Sequence, residues 1–191
     1  MPKPRDENKI QQIFQAALEQ VLKTGYAGLK MSAVAQEARL ATGTIYTYFD
    51  SKNHLINALF RELKQRKMGE VMRDYDPEGP FYEVFKALWK NFLKAGIAQP
   101  ERNLFISQYQ WSDHLDETSR AVSKTAYQPL YDLLGKAQQA QLIKDIPVKV
   151  MAAHLVGGAN EVAKLYFGQP IESVQAIVDQ CFEMAWRSIR K

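Results

Sequence analysis

The sequence predicts an all-α protein of about nine helices. Apolar residues recur at three- and four-residue steps through most of the 191-residue chain, which is the spacing of one helix face. No run alternates apolar and polar residues as a half-buried strand would, and no internal repeat or low-complexity tract is present. The composition, 46% hydrophobic and 24% charged, is that of an ordinary globular domain. The chain therefore has enough apolar residues to bury a core of packed helices.

Four helices are predicted in the N-terminal third. The first covers roughly 7–24 and has Gly25 as its C-terminal stop. Two short helices follow at 31–38 and 42–49, separated by only three residues. Asp50-Ser51 has the residue types of an N-cap for the fourth helix. The apolar stripe of that helix is Leu55, Ile56, Leu59, Phe60 and Leu63.

Five further helices are predicted after a turn-rich stretch at 74–80. Their approximate limits are 81–97, 101–112, 119–140, 147–167 and 171–190. Pro129 lies inside the third of them and predicts a kink or a break, because proline cannot donate the helical hydrogen bond. The predicted domains are an N-terminal domain at 1–52 and a larger helical domain at 53–191.

Charge is distributed unevenly along the chain. Residues 1–67 hold 11 Lys and Arg against 6 Asp and Glu, whereas residues 68–191 hold 14 against 15. A basic N-terminal third beside a near-neutral remainder indicates an anionic partner for the first part alone. The alternative is that this excess is simply a solvated face.

Several classes of protein are excluded by what the sequence lacks. The single cysteine, Cys181, rules out an internal disulfide framework and a cysteine-based zinc cluster, and it is interpreted as a small buried apolar residue. No apolar run reaches the ~20 residues of a membrane span. The basic N-terminus has no apolar segment behind it, unlike a signal peptide. We therefore expect a cytoplasmic protein with no membrane partner.

The two short helices have the dimensions of a helix-turn-helix, whose second helix enters the major groove of DNA. Ile45 and Phe49 are four residues apart and can anchor that helix to the core. The outward-facing positions are then Thr42, Gly43, Thr44, Tyr46, Thr47 and Tyr48. The threonine and tyrosine hydroxyl groups among them suit phosphate and base-edge contacts. The alternative is a merely exposed patch rich in threonine and tyrosine.

Residues 8–60 resemble the DNA-binding domain of the TetR family of repressors, through Val34–Ala38, Gly43–Phe49 and Ser51-Lys52. The resemblance implies that Tyr46, Tyr48 and Lys52 contact operator phosphates. It also implies that Thr42, Gly43, Thr44 and Thr47 face the bases or the groove floor, and that Lys30 and Ser32 contact the DNA backbone. Double-stranded operator DNA is therefore the predicted partner.

Three positions depart from the family pattern. The turn glycine is replaced by Arg39, which predicts a conformational cost. The usual N-cap of the second helix aligns with Leu29, where Gly28 could substitute. The usual cap of the recognition helix aligns with Ala41, which leaves Thr42 as a cap one position later. Arg39 could instead add a contact to DNA.

The larger domain contains no sharp motif, but its middle helices are rich in aromatic residues. The resemblance implies that this domain binds a small molecule and forms dimers. An apolar pocket with a few polar groups is the usual small-ligand site, and a flat aromatic or fatty amphiphile is the expected effector. The alternative is that these aromatic side chains only fill the core. The predicted ligand-binding residues are Trp89, Phe92, Phe105, Tyr109, Tyr127, Tyr131, His154 and Asn160.

The last two helices have broad apolar faces, and the Gly157–Ala159 run allows another helix to approach closely. A four-helix bundle across a two-fold axis would bury these faces, so a homodimer through the last two helices is predicted. Ordinary packing within one chain is the alternative. Paired half-sites in DNA favour the dimer.

Two other functions stay open from the sequence. One is a ligand-binding module whose helix-turn-helix no longer binds DNA, and the other is an all-helical enzyme. The enzyme has little support, because His54, His114 and His154 are far apart and form no H-E-x-x-H pattern. No glycine-rich phosphate loop or nucleophile elbow is present. We therefore predict a ligand-responsive transcriptional repressor with no cofactor, no metal and no catalytic residues.

Overall fold

The computed structural model describes residues 6–169 and 173–191. Within these residues the chain forms nine α-helices and no β-strand, as predicted. The described residues also contain one isolated antiparallel bridge, between Ile143 and Arg190. The helices are α1 (Glu7–Gly28), α2 (Met31–Glu37), α3 (Thr42–Tyr48), α4 (Lys52–Val71), α5 (Phe81–Ala98), α6 (Pro100–Tyr109), α7 (Glu117–Gln139), α8 (Val148–Leu165) and α9 (Val174–Ile189).

Most predicted boundaries agree with the observed ones to within a few residues. Gly25 adopts a φ of 67° and interrupts α1, as its predicted role as a stop requires, although a further helical turn follows to Gly28. The predicted break at Pro129 is not formed. Helix α7 continues through this residue and packs against α4 and α8. The predicted start of the last helix at Ile171 lies outside the described residues, as does the N-terminal segment 1–5.

The described side chains form two hydrophobic cores. The N-terminal core joins α1, α2 and α3 to the first half of α4, and it also takes in Phe105, Ile106 and Tyr109 of α6. The C-terminal core is built mainly from α5, α7, α8 and α9 around Phe85 and Phe182. The proposed boundary between residues 52 and 53 coincides with the start of α4, a helix whose residues enter both cores.

Candidate nucleic-acid interface and internal cavity

Helix α3 presents one polar face to solvent and buries the opposite face. Ile45 is fully buried, and Phe49, immediately after the helix, packs beside it in the N-terminal core. The predicted contact residues lie on the outer side, since Thr42, Gly43, Tyr46 and Thr47 are exposed and Thr44 and Tyr48 are half-buried. The four-residue spacing of the two anchors therefore predicts the exposed positions Thr42, Gly43, Tyr46 and Thr47, whereas Tyr48 packs partly against the core.

The hydroxyl groups on this face differ in how free they are. Thr47 Oγ1 donates a 2.6 Å hydrogen bond to the carbonyl of Thr44 within the helix, so its proton is already used. Tyr46 is 49% exposed, and no described residue accepts a hydrogen bond from its hydroxyl. A Cβ added at Gly43 would meet nothing within 4 Å, so the backbone there is open to a close approach. Tyr46 and the backbone at Gly43 are thus the most accessible parts of the face.

The turn between α2 and α3 has the geometry of a Schellman motif. Arg39 has a φ of 55°, in the left-handed region that favours glycine. The amide of Leu40 donates to the carbonyl of Ala35 at 2.9 Å, and the amide of Arg39 donates to the carbonyl of Gln36 at 3.1 Å. These two bonds define the motif, with Arg39 at the position that glycine usually occupies. Arg39 therefore adopts the conformation for which the cost is predicted.

The predicted caps of α2 and α3 are wrong by one or two residues. Lys30, not Leu29 or Gly28, is the N-cap of α2, and Leu29 is buried in the core instead. Ala41 is the N-cap of α3, so Thr42 is the first residue inside the helix. Neither cap residue offers a side-chain hydrogen bond. Lys30 and Ser32 are both exposed at the start of α2, as a role in backbone contacts needs.

Lys52 lies at the first position of α4, and its ammonium is positioned by contacts with Tyr26. The Ser51 side chain accepts a 3.1 Å hydrogen bond from the amide of His54, which confirms the predicted cap. Lys52 Nζ donates a 2.9 Å hydrogen bond to the Tyr26 carbonyl and lies 4.4 Å from the centroid of the Tyr26 ring. An ammonium has three N–H donors, so two remain for a phosphate.

A small apolar cavity of about 50 Å³ lies beside the second half of α4, between α4, α5 and α7. A larger open groove of about 660 Å³ adjoins it, and the two share Tyr127 and Val156 as lining residues. The groove is bounded by α7 and α8 and lined in part by three basic residues. Those residues are Arg120, Lys124 and Lys149.

The structure brings together only some of the residues predicted to bind a ligand. Trp89, Phe92 and Tyr127 line the cavity, and Tyr131 and Asn160 line the adjoining groove together with Tyr127. Three predicted residues lie elsewhere. Phe105 and Tyr109 stack on each other, with ring centroids 4.5 Å apart, inside the N-terminal core, and His154 is exposed on α8.

Two lysines of the cavity were not predicted from the sequence. Lys64 and Lys67 are 4% and 3% exposed, and both line the cavity from α4. Burial lowers the pKa of Lys64 to about 8. Burial, with the neighbouring charges of Lys64 and Arg102, lowers the pKa of Lys67 to about 7. A signal was present in the sequence, because both lysines continue the stripe that begins at Phe60 with helical spacing.

Polar contacts join α4 to the loop before α7 and to the start of α7. Asn57 is fully buried; its Oδ1 accepts a 2.8 Å hydrogen bond from the Asp116 amide and its Nδ2 donates at 2.9 Å to the His114 carbonyl. Arg61 donates to both Asp116 and Ser119 at the start of α7. The His114 ring in turn stacks on Tyr26 at 3.7 Å between centroids. The loop before α7 is thereby connected to the residue that holds Lys52.

No group of three or more His, Cys, Asp or Glu side chains in the described part of the chain is arranged to hold a metal ion. None of the described helices is long and apolar enough to cross a membrane.

Comparisons with known proteins agree with this geometry. The family described as "Bacterial regulatory proteins, tetR family" matches residues 13–59, and "Tetracyclin repressor-like, C-terminal domain" matches residues 80–190. An uncharacterized HTH-type transcriptional regulator of Haemophilus influenzae is 25% identical over 182 residues, covering 95% of each chain. Another, YvdT of Bacillus subtilis, is 30% identical over 137 residues, covering 71% of this chain and 68% of that protein.

Solved structures show the same fold. A TetR family transcription regulator from Marinobacter aquaeolei has a TM-score of 0.86 at 18% identity, covering 98% of each chain. The regulator HI0893 from Haemophilus influenzae has a TM-score of 0.78 at 23% identity, covering 99% of this chain and 100% of the other. The fold and the exposed recognition helix define a helix-turn-helix transcriptional regulator. The chain belongs to the TetR family, whose members bind operator DNA and act as dimers.

Proposed function

We propose that this regulator is a repressor that releases its operator when a small molecule occupies the cavity beside α4. The observation that supports this most directly is the position of α4 in both cores. Its first half contributes Leu55 and Leu59 to the core that holds the recognition helix, and its second half lines the cavity. A ligand in the cavity would press directly on α4, which begins at Lys52.

A second set of contacts would transmit movement of α7. The loop before α7 is bonded to Asn57 and stacked through His114 on Tyr26, which holds the ammonium of Lys52. Two half-sites one helical turn apart require two recognition helices at ~34–36 Å, so a shift of a few ångströms would weaken binding. The comparisons favour this transcriptional role over the all-helical enzyme that the sequence left open.

The coupling can be tested without knowing the ligand. Ala126 lines the cavity from α7, so Ala126→Leu would occupy part of the space as a ligand does. We expect operator affinity to fall about tenfold, a typical coupling between two sites. Fluorescence anisotropy with DNA from upstream of the protein's own gene measures this. Ala121→Leu, the same change at an exposed position of α7, is the control. An Ala126→Leu variant that folds and binds operator as tightly as wild type would refute the coupling.

The homodimer is proposed to form through α8 and α9. Leu165 is 69% exposed on α8, and Met184 is 72% exposed on α9. A Cβ added at Gly157 or Gly158 would meet nothing within 4 Å, so packing within the chain does not explain these small residues. A second copy would bury this face, which is the arrangement that a two-fold operator needs.

The oligomeric state is the test of this interface. Met184→Glu should shift the protein from dimer to monomer in light scattering coupled to size-exclusion chromatography. Leu142→Glu is the control, because Leu142 is half-exposed and lies in the turn after α7, outside both helices. Dimers that persist in Met184→Glu would place the interface elsewhere.

A further inference from the structure

The cavity beside α4 has mostly apolar walls, but two buried lysines, Lys64 and Lys67, also line it. Its aromatic walls come from Trp89, Phe92 and Tyr127, and the amino groups of Lys64 and Lys67 lie over the Tyr127 and Phe92 rings. The two lysines are three residues apart, so they lie on one face of the helix. Such a combination is costly, because a buried charge is unfavourable unless an opposite charge compensates it.

Neither lysine has a carboxylate partner among the described residues. Lys64 Nζ lies 4.6 Å from the centroid of the Tyr127 ring, and no described atom accepts a hydrogen bond from it. Lys67 Nζ lies 3.8 Å from the Phe92 ring centroid and donates to Oδ1 of Asn103, a neutral acceptor. The carboxylate of Glu70, one turn further along α4, accepts two hydrogen bonds from Arg102 instead.

The missing counter-charge indicates the chemistry of the ligand. A carboxylate has two oxygens that can each accept hydrogen bonds, and charge-assisted bonds of this kind are about twice as strong as neutral ones. One carboxylate between the two lysines would satisfy both amino groups and remove their mutual repulsion. The remaining lining is apolar and would take a hydrocarbon tail.

We propose that the effector is an amphiphile with a single carboxylate head group, held between Lys64 and Lys67, and an apolar tail against Trp89 and Phe92. This assignment rests on the proposed function, since it names the ligand class for the same cavity. A cavity of about 50 Å³ is smaller than typical ligand sites, so the ligand must widen it. Met68 and Met72 are flexible lining residues that can yield, and a longer tail reaches the groove past Tyr127 and Val156.

The head group can be tested with probes that share one tail. Isothermal titration of the full-length protein would compare decanoate, decanol and decylamine at pH 7. Decanoate is expected to bind at least about tenfold more tightly than decanol, since one charged hydrogen bond accounts for such a factor. Decylamine should bind more weakly still, because its ammonium would add a positive charge beside Lys64 and Lys67. Decanol binding as tightly as decanoate would overturn the proposal, and so would a failure of every carboxylate from hexanoate to tetradecanoate to bind.

Variants then locate the head group. Lys64→Met and Lys67→Met replace each charge with an apolar side chain of similar length, so both variants should fold. Each should lower decanoate affinity about tenfold or more and leave decanol affinity nearly unchanged. The controls are Arg120→Met and Lys124→Met, which remove charges from the outer groove. If only Arg120→Met and Lys124→Met weaken decanoate binding, the head group lies in the groove and its assignment to Lys64 and Lys67 is wrong.

The same titrations repeated with operator DNA separate this assignment from the proposed function. Decanoate that binds through Lys64 and Lys67 without releasing DNA would support the head-group site and refute the ligand-responsive repressor. Release by decanol as effective as release by decanoate would support the repressor and overturn the head-group site. Release by decanoate alone, lost in the two lysine variants, would support both.

Discussion

Arg102 and Glu70 hold α6 against the second half of α4 through two parallel hydrogen bonds, 2.7 Å from Nη1 to Oε1 and 2.6 Å from Nη2 to Oε2. Arg102 also donates from Nη2 to the Ala95 carbonyl at 3.1 Å, and its side chain is almost fully buried. The pair therefore fixes the helix that lines the cavity. Paired, planar hydrogen bonds of this kind define one relative position of the two helices.

Removing this pair should lower stability in a pH-dependent way. We expect Arg102→Met to reduce the free energy of unfolding at pH 7 by about 1.5–3 kcal/mol, the range for hydrogen bonds to charged groups. The hydrogen bonds from Arg102 lower the pKa of Glu70 below its ordinary value. The stabilisation is therefore complete above that ordinary value, near 4.5, and is lost as pH falls below it. Urea unfolding at pH 7 and pH 4 should show a smaller difference from wild type at pH 4.

The control for this measurement is a surface ion pair. Arg187 and Glu183 lie 4.0 Å apart on α9 with both side chains largely exposed, and such pairs contribute little. Arg187→Met should therefore change stability by less than about 0.5 kcal/mol. Equal effects of the two arginine variants would mean that the Arg102 pair has no special role.

The DNA-facing residues should contribute to operator binding through phosphates. Tyr46→Phe removes only a hydroxyl that no described residue uses, so stability should not change while affinity falls several-fold. Lys52→Met removes one charge, and the slope of log affinity against log salt should fall by about one. Anisotropy titrations at several salt concentrations measure both effects. Tyr75→Phe, in the loop after α4, is the control, and unchanged affinity and slope in both interface variants would exclude these contacts.

The helix-turn-helix could be predicted from the sequence because its geometry is local. The four-residue spacing of Ile45 and Phe49 fixes which face of α3 is buried, and therefore which side chains are outward. The caps were harder to assign. Without a side-chain cap at Lys30 or Ala41, the start of each short helix is set by backbone geometry that residue types do not reveal.

The ligand site could be predicted only in part, because it depends on which helices become neighbours. An aromatic stripe indicates that Phe105 and Tyr109 are buried, but it does not indicate that α6 packs them into the N-terminal core. Lys64 and Lys67 were missed for a different reason. Lysine on a helix is usually exposed, so two lysines on an apolar stripe are read as solvated unless the neighbouring helices are known.

Replacing Arg39 with glycine should stabilise the protein. A non-glycine residue in the left-handed region costs about 1 kcal/mol, and Arg39 has a φ of 55° there. Part of this gain is offset by the greater freedom of glycine in the unfolded chain. We expect Arg39→Gly to raise the melting temperature by about 1–3 °C for a chain of this size. Arg39→Ala is the control, because it removes the same side chain without relieving the backbone.

The DNA affinity of these two variants tests the other role considered for Arg39. If its guanidinium contacts DNA, both variants should lose affinity and show a smaller salt slope. If Arg39 serves only the turn, Arg39→Gly should bind as well as wild type. A melting temperature that does not rise in Arg39→Gly would contradict the cost assigned to the turn.

The stability of the ligand-free protein should rise with pH above neutrality because of Lys64 and Lys67. Their pKa values in the folded chain are about 8 and about 7, well below the 10.5 of a solvated lysine. Between about pH 7 and pH 10.5 the unfolded chain binds more protons than the folded chain, so the free energy of unfolding increases with pH. The groups that face Lys67 are Lys64, Arg102 and Glu70, and Glu70 is ionised throughout this range.

Tyr127, which faces Lys64, has its pKa raised by burial to about 12 and stays neutral over the same range. Each lysine can add at most about 1.4 kcal/mol per pH unit. Urea unfolding at pH 7, 8 and 9 should therefore show a steeper rise in wild type than in Lys67→Met, which has one titrating group fewer in the cavity. The exposed Lys94→Met, on α5, should follow the wild-type curve. Parallel curves for wild type and Lys67→Met would mean that the Lys67 amino group is solvated and that the cavity holds no uncompensated charge at this position.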